Sequence, residues 1–219
     1  VSGLNLVDER GVALLKDIGF ELRAGEIVGI AGVSGNGQSE LLEVLSGMRE
    51  ATSDSVRFKG QELSTLKSAE PKAAVYRKLG IAHIPEDRSR EGMVKDFMTF
   101  ENAILGYHND KSIAGRFLFK RQAIIERCRR FIEEFDVRPA LTHRRIGLFS
   151  GGNQQKVILA REIQANPDLL LIGQPTRGVD IGAIEFIHKR LMQLRDEGKA
   201  LLLVSVELDE IMALSDRII

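Results

Sequence analysis

Two unbroken apolar runs, Leu169-Leu170-Leu171-Ile172 and Leu201-Leu202-Leu203-Val204, set the strongest limit on what this chain can become. A strand with one wet face alternates apolar and polar residues. Four apolar residues in succession read instead as strands buried on both faces, as in a parallel sheet. A third run, Glu26-Ile27-Val28-Gly29-Ile30-Ala31, is short and β-branched and leads into a glycine-rich loop. Helical periods lie between and after these runs. Leu41, Val44, Leu45 and Met48 fall at i, i+3, i+4 and i+7, with Gly47 where that helix should end. Ile184, Ile187, Leu191 and Leu194 make a second stripe, and Leu208, Ile211 and Met212 a third. This alternation predicts an α/β fold with right-handed crossovers. The first 25 or so residues, with Val56-Arg57-Phe58, read as short antiparallel strands; Asn5 to Ile18 is too polar for a buried central strand. Residues 88–148 carry more charge and a helical apolar spacing (Ile124, Cys128, Phe131, Phe135), which predicts a mostly helical insertion. The expected organisation is a core of residues 1–87 and 149–219, including a β subdomain, with a helical subdomain at 88–148.

Composition removes several function classes. A chain of 219 residues suits one domain, or a core with an inserted subdomain. Lys plus Arg and Asp plus Glu both number 31, so the net charge is zero, which argues against a nucleic-acid binder. Arg127, Arg129, Arg130 and His143-Arg144-Arg145 then read as solvated faces. Arg88 and Arg90 read as partners for nearby acids, worth little if exposed. One cysteine forms no internal disulfide, and Cys128 falls on an apolar helical stripe. His83, His108, His143 and His188 have no metal-ligand or triad partner at a useful spacing. No apolar run approaches the ~18 residues of a membrane span, and no signal peptide opens the chain. Val1 at the start and a strand beginning at Asp216-Arg217-Ile218-Ile219 lead us to expect a segment excised from a longer protein.

Gly32-Val33-Ser34-Gly35-Asn36-Gly37-Gln38-Ser39 sits between a strand and a helix. Against the phosphate-loop pattern G-x-x-x-x-G-K-[ST], Gly32, Gly37 and Ser39 match and Gln38 stands where Lys belongs. Glycines there let backbone N–H groups turn inward around phosphate oxygens at a helix N-terminus. Gln38 offers a dipole in place of a full positive charge, and Ser39 keeps a hydroxyl for Mg²⁺. Taken alone, the loop is equally well a glycine turn. A dinucleotide fingerprint fails on spacing, because Glu40 occupies its third glycine position.

Phe149-Ser150-Gly151-Gly152-Asn153-Gln154-Gln155-Lys156-Val157 closely resembles the L-S-G-G-Q signature of ATP-binding-cassette (ABC) ATPases. In that family the signature clasps the γ-phosphate of a nucleotide held by the opposite domain of a dimer. The resemblance runs through the chain in the family's motif order and implies an α/β phosphate-loop NTPase fold, an ABC cassette with an antiparallel β subdomain and a helical subdomain. Leu169 to Thr176 resembles the strand that ends in Asp-Glu-Pro-Thr, but Gly173 and Gln174 replace both carboxylates. Arg177-Gly178-Val179-Asp180 resembles the loop that follows, with Asp180 retained. In Val204-Ser205-Val206-Glu207, Val206 replaces the γ-phosphate-contacting His. In Ile84-Pro85-Glu86-Asp87-Arg88, Glu86 stands where the family often has a Gln that touches Mg²⁺ and senses the permease.

The resemblance implies ATP and Mg²⁺ as cofactors. Nucleotide contacts would come from Gly32, Ser34, Gly35, Asn36, Gly37, Gln38, Ser39, Glu40, Glu86, Ser150, Gly151, Gly152, Asn153, Gln174 and Asp180, with Ser39 and Glu86 toward the metal. More narrowly, the motifs look like the second, degenerate cassette of simple-sugar or nucleoside importers, best fitting the nucleoside branch. The partners implied are an N-terminal cassette in the same polypeptide, transmembrane permease subunits and, indirectly, an external solute-binding protein, with no nucleic acid. The implied location is peripheral, on the cytoplasmic face of the plasma (inner) membrane. Removing one charge-stabilising group costs about 10²–10³ in rate, and Lys, both carboxylates and His are all missing. The expectation is a poor ATPase whose signature completes a partner's site. A stand-alone active ATPase and a structural cassette without nucleotide are the alternatives. Met93, Val94, Phe97, Met98 and Phe100 are either ordinary core or part of a permease groove.

Overall fold

The computed structural model describes residues 1–33, 35–116 and 118–219. In chain order its elements are β1 (Ser2–Val7), β2 (Ala13–Ile18), β3 (Ile27–Ala31), α1 (Gln38–Leu45), β4 (Ser53–Ser55), β5 (Arg57–Phe58), β6 (Gln61–Glu62), α2 (Lys72–Leu79) and β7 (Ile81–Ile84). A π-helical turn (Arg88–Gly92), α3 (Thr99–Asn102), α4 (Arg121–Glu134), a 3₁₀ turn (Ile146–Leu148) and α5 (Gly151–Ile163) follow. The chain then forms β8 (Leu169–Gly173), α6 (Ile181–Asp196), β9 (Ala200–Ser205), α7 (Leu208–Leu214) and β10 (Arg217–Ile218). It divides into two compact units, Val1–His83 with Pro167–Gln174 and Leu191–Ile219, and Ile84–Asn166 with Pro175–Arg190.

The first unit holds the sheets. The apolar runs become neighbours in a five-stranded sheet of order β10-β3-β9-β8-β7. β3 pairs parallel with β9, Ile27 opposite Leu201 and Ala31 opposite Ser205, and β9 pairs parallel with β8. Leu170, Leu171, Leu201, Leu202 and Leu203 are essentially inaccessible, as strands covered on both faces require. Burying each such side chain contributes about 1.5–3 kcal/mol. β1, β2 and β4 form a separate antiparallel sheet, and β5–β6 a hairpin. Leu4, Leu6 and Leu15 from that sheet share one apolar cluster with Leu41, Leu42, Leu45, Leu171 and Leu202.

The second unit is helical only in part. α4 and α5 are its long helices, and much of the chain between α3 and α4 is turn. The α4 stripe buries Ile124, Cys128 and Phe131, and Phe135 packs edge-on to Phe186 at 5.9 Å. α5 carries a buried Arg161–Glu162 pair at 2.8 Å. Arg161 Nη1 donates to the Gly92 carbonyl at 2.9 Å, and the Tyr107 hydroxyl donates to Glu162 at 2.5 Å.

The third apolar stripe departs from expectation. In α7, Ile211 is buried, whereas Leu208 and Met212 are 61% and 66% exposed. The helix has only seven residues, and its inward face is Ile211 with Leu214, about one turn apart. Leu208 and Met212 flank that face.

Candidate nucleotide-binding site

Three loops leave the carboxyl ends of adjacent parallel strands in the first unit, the usual place for ligands in an open α/β sheet. Gly32–Gly37 follows β3, Val206 follows β9 and Gln174 follows β8. Gly37 caps α1 with φ 93°, and no side chain caps that helix. Its leading amides, from Gln38 to Glu40, therefore present the positive end of the helix dipole. Gly35 also has positive φ, at 92°. Gly35 and Asn36 are exposed, while Gln38, Ser39 and Glu40 are half-buried. A Cβ at Gly32 would fall on the side-chain amide of Gln38. The residue in the lysine position thus folds back over the first glycine of the loop. Ser34, also expected to contact phosphate, lies outside the described residues.

Gln174 has become part of the scaffold. It is buried, its backbone adopts φ 45°, and its N–H donates to the Val204 carbonyl at 2.9 Å. The Val206 N–H donates to Gln174 Oε1 at 3.3 Å. A left-handed non-glycine residue costs of order 1–3 kcal/mol and persists only where its surroundings hold it. The side chain at the end of β8 therefore fixes the loop after β9. Val206 itself offers no polar side chain toward an anion, and Ser205 Oγ accepts the Glu207 N–H at 3.1 Å.

The remaining candidates lie in the second unit. Ser150 is exposed, Gly151 and Asn153 are half-buried and Gly152 is buried. Among the described residues no side chain caps α5, so its first amides have no side-chain acceptor. Asn153 braces that turn: its Nδ2 donates to Ser150 Oγ at 2.9 Å, and the Arg138 N–H donates to its Oδ1 at 2.6 Å. Asp180 opens α6, its Oδ1 accepting the Ala183 N–H at 3.0 Å. A Cβ at Gly152 would come within 2.8 Å of Asp180 Oδ2, so the signature glycine and the Asp180 loop pack with no room for a side chain.

Glu86 is engaged by Arg177, whose Nη1 donates to its Oε1 at 3.1 Å. Sequence reasoning missed this pairing, because nothing in either local pattern joins residues 91 positions apart. Arg88 likewise finds carbonyls and not acids: Nη1 donates to Arg177 O at 2.5 Å and Nη2 to Gly178 O at 3.3 Å. Arg90 has the expected acidic neighbour, Glu91, at 4.0 Å.

Among the described residues, the glycines of the loop after β3 and the leading α1 amides are the groups that a phosphate chain would use. The donor set for a tightly held divalent cation is poor. Gly173 and Gln174 bring no carboxylate, and no group of three or more His, Cys, Asp or Glu capable of holding a metal occurs among the described residues.

A parallel sheet with a glycine loop at its carboxyl edge in one unit, and a glycine-led helix in the other, are features of an ATP-binding cassette. The family described as ABC transporter matches residues 15–177, and the chain belongs to that family. It is 44% identical over 218 residues to the guanosine import ATP-binding protein NupO of Bacillus subtilis, covering all of this chain and 42% of that protein. The nucleoside import ATP-binding protein NupA of Lactococcus lactis matches at the same identity and coverage. The glucose import ATP-binding protein TsgD13 of Haloferax volcanii is 40% identical, covering 99% of this chain and 39% of that protein. The chain thus spans about two fifths of the length of these relatives. In fold it is similar to the ATP-binding cassette MJ0796, in a dimeric structure bound to ADP and phosphate, with a TM-score of 0.84 at 22% identity, covering all of this chain and 91% of that one. The expected ABC cassette fold, with its parallel sheet and antiparallel β subdomain, is the observed one.

Proposed function

We propose that this chain is a nucleotide-binding cassette of a nucleoside or sugar importer, and that it completes a partner's catalytic site more than it runs its own. The importer class is supported by relatives named for guanosine, nucleoside and glucose import. The division of labour is supported by one contrast. The phosphate loop has its lysine position filled by Gln38 folded onto Gly32, and Gln174 is tied to the Val206 backbone. In the second unit Ser150 is exposed and Gly151 half-buried, which is compatible with contact from a second cassette. Gly32 to Glu40 hold a triphosphate by backbone amides, and the Ser39 hydroxyl is the protein oxygen we assign to the accompanying Mg²⁺. Ser150 to Asn153 and Asp180 face the nucleotide of the partner, a cassette we place upstream in the same polypeptide. Residues 88–148 serve as the helical subdomain.

Permease subunits are the third party. Within the second unit a groove of about 610 Å³ is lined by Phe97, Phe100, Ile104, His108, Leu118 and Phe119. Met93 and Phe100 are buried, while Phe97 and Leu118 are 44% and 83% exposed. The apolar stretch after Glu86 therefore supplies both core and groove. Such a partner would hold the cassette peripherally at the inner face of the membrane; among the described residues no helix is long and apolar enough to cross it.

The test measures ATP turnover by this chain alone and together with its upstream cassette, and thermal stabilisation by ATP with Mg²⁺. The expected result is stabilisation that rises with ligand as RT ln(1 + [L]/Kd), negligible turnover alone, and turnover with the partner that is lost in Ser150→Ala/Gly151→Ala. Robust turnover by the chain alone, abolished by Ser39→Ala, refutes the proposal. Absence of any ATP-dependent stabilisation refutes nucleotide binding.

A further inference from the structure

Three segments of the second unit converge on one guanidinium. Arg88 projects from the first residue of its π-helical turn. The Asp87 carboxylate fixes that start by accepting the Ser89 and Arg90 N–H groups at 2.9 and 3.1 Å. The far end of the turn is held as well, because the Gly92 carbonyl accepts Arg161 Nη1 at 2.9 Å. From this braced base, Arg88 reaches the consecutive carbonyls of Arg177 and Gly178 with two different nitrogens. The nitrogen that reaches Gly178, Nη2, also lies against the signature turn. A Cβ at Gly151 would stand 2.6 Å from Arg88 Nη2 and 2.7 Å from the Gly178 carbonyl oxygen. A Cβ at Gly178, where φ is +64°, would stand 3.4 Å from the same Nη2. The guanidinium is thus packed against both the Gly178 turn and Gly151. The tie is reciprocal: the Arg88 side chain holds the Arg177 backbone, and the Arg177 side chain holds the Glu86 carboxylate.

We propose that Arg88 is a positioning residue whose guanidinium sets the Arg177–Gly178 turn against the Ser150–Gly152 turn, and so fixes the aim of the leading α5 amides and of Asp180. Only what those amides grip rests on the function proposed above. Two adjacent carbonyls need two N–H donors in a fixed plane, which a guanidinium supplies and an ammonium does not. Glycine at position 151 follows from the same packing, since any side chain would displace the guanidinium.

Amide hydrogen exchange on the full chain reads this arrangement directly. The reporters are Gln154 N–H, bonded to Ser150 O, Val179 N–H, bonded to Thr176 O, and Ala183 N–H, bonded to Asp180. Controls in the same unit are Asn102 and Ala103 N–H, bonded to Met98 and Thr99. In Arg88→Ala the reporters should exchange at least about tenfold faster, the order expected for a charge-assisted hydrogen bond, while the controls hold. Arg88→Lys should fall between wild type and Ala, and it carries the comparison if Arg88→Ala does not fold. Arg177→Ala, which removes only the pairing with Glu86, should leave Gln154 unchanged. A uniform rise across reporters and controls, or no rise at all, overturns the proposal. Reporters that rise while turnover with the upstream cassette is undiminished would overturn the functional reading and leave the positioning role standing.

Discussion

Gly35 and Gly37 share almost the same backbone conformation, φ 92° and 93°, in very different surroundings. Substituting each by alanine therefore separates conformational cost from steric cost within one loop. A left-handed backbone costs an L-residue about 1–2 kcal/mol, and that charge falls on both variants. At Gly35 nothing lies within 4 Å of a built Cβ, so nothing further is added. At Gly37 the Cβ would come within 2.7 Å of the Leu14 carbonyl oxygen and 2.8 Å of Leu15 Cδ2, both on β2. Relieving that overlap means moving a paired strand, and overpacking of this kind costs about 1–3 kcal/mol more. The stiffening of the unfolded chain by alanine is common to both variants and cancels in the difference. For a chain of this size each kcal/mol moves Tm by about 2–4 °C, so Gly37→Ala should melt about 2–12 °C below Gly35→Ala. Thermal denaturation followed by circular dichroism measures the gap. Equal melting temperatures, or a lower one for Gly35→Ala, would refute the packing of β2 against the loop.

His83 is buried on β7, with Nε2 unpaired among the described residues; burial, aided by Arg77, pushes its imidazole down to about 4. The unfolded imidazole takes up its proton near pH 6.5, so stability is full above that pH and should fall by about 3 kcal/mol as pH drops toward 4. Denaturant titrations across this window should show that slope in wild type and a flatter one in His83→Leu. Burial pushes the Cys128 thiol up to about 12, so native protein at pH 8 should resist iodoacetamide and react only at the rate of unfolding, read by mass spectrometry. Arg161→Met leaves Glu162 buried without its cation and should cost about 3–5 kcal/mol in urea unfolding, with part recovered in Arg161→Met/Glu162→Gln.

The parallel sheet was legible because unbroken apolar strands have few other ways to be buried. Leu169–Ile172 and Leu201–Val204 lie where their composition put them. The helix after the glycine loop stops at the residue before Ser46 and Gly47, and the α4 stripe faces inward as its spacing predicted. α7 was less legible, because two turns of helix give too short a stripe to tell an inward face from its flanks. Within the site, the loops could be placed by motif spacing alone. Side-chain ties between distant loops could not, since Glu86–Arg177, Arg88–Gly178 and Gln174–Val206 depend on which loops share a surface. Asn153 is intermediate. Its departure from the signature pattern was visible, but its brace from Ser150 to Arg138 required the fold.

Positions 38 and 174 both carry a neutral amide, and both amides lie against the backbone. A lysine in the phosphate loop and a carboxylate at the end of β8 are costly in an empty site, because each must stay hydrated or find an opposite charge. Neutral amides carry no such requirement. Gln38 lies against Gly32, and Gln174 accepts the Val206 N–H. At position 174 the amide contributes a tie to the backbone of the neighbouring loop. The positive φ at Gln174 is held by these local hydrogen bonds. The second unit shows the opposite pattern, with its charged groups retained and engaged. Arg88 and Arg177 tie distant segments of that unit together, Arg177 through the Glu86 carboxylate, and Asp180 accepts the Ala183 N–H at the start of α6. The helix dipole of α5, which has no side-chain cap among the described residues, favours negative charge near the Ser150–Gly152 turn.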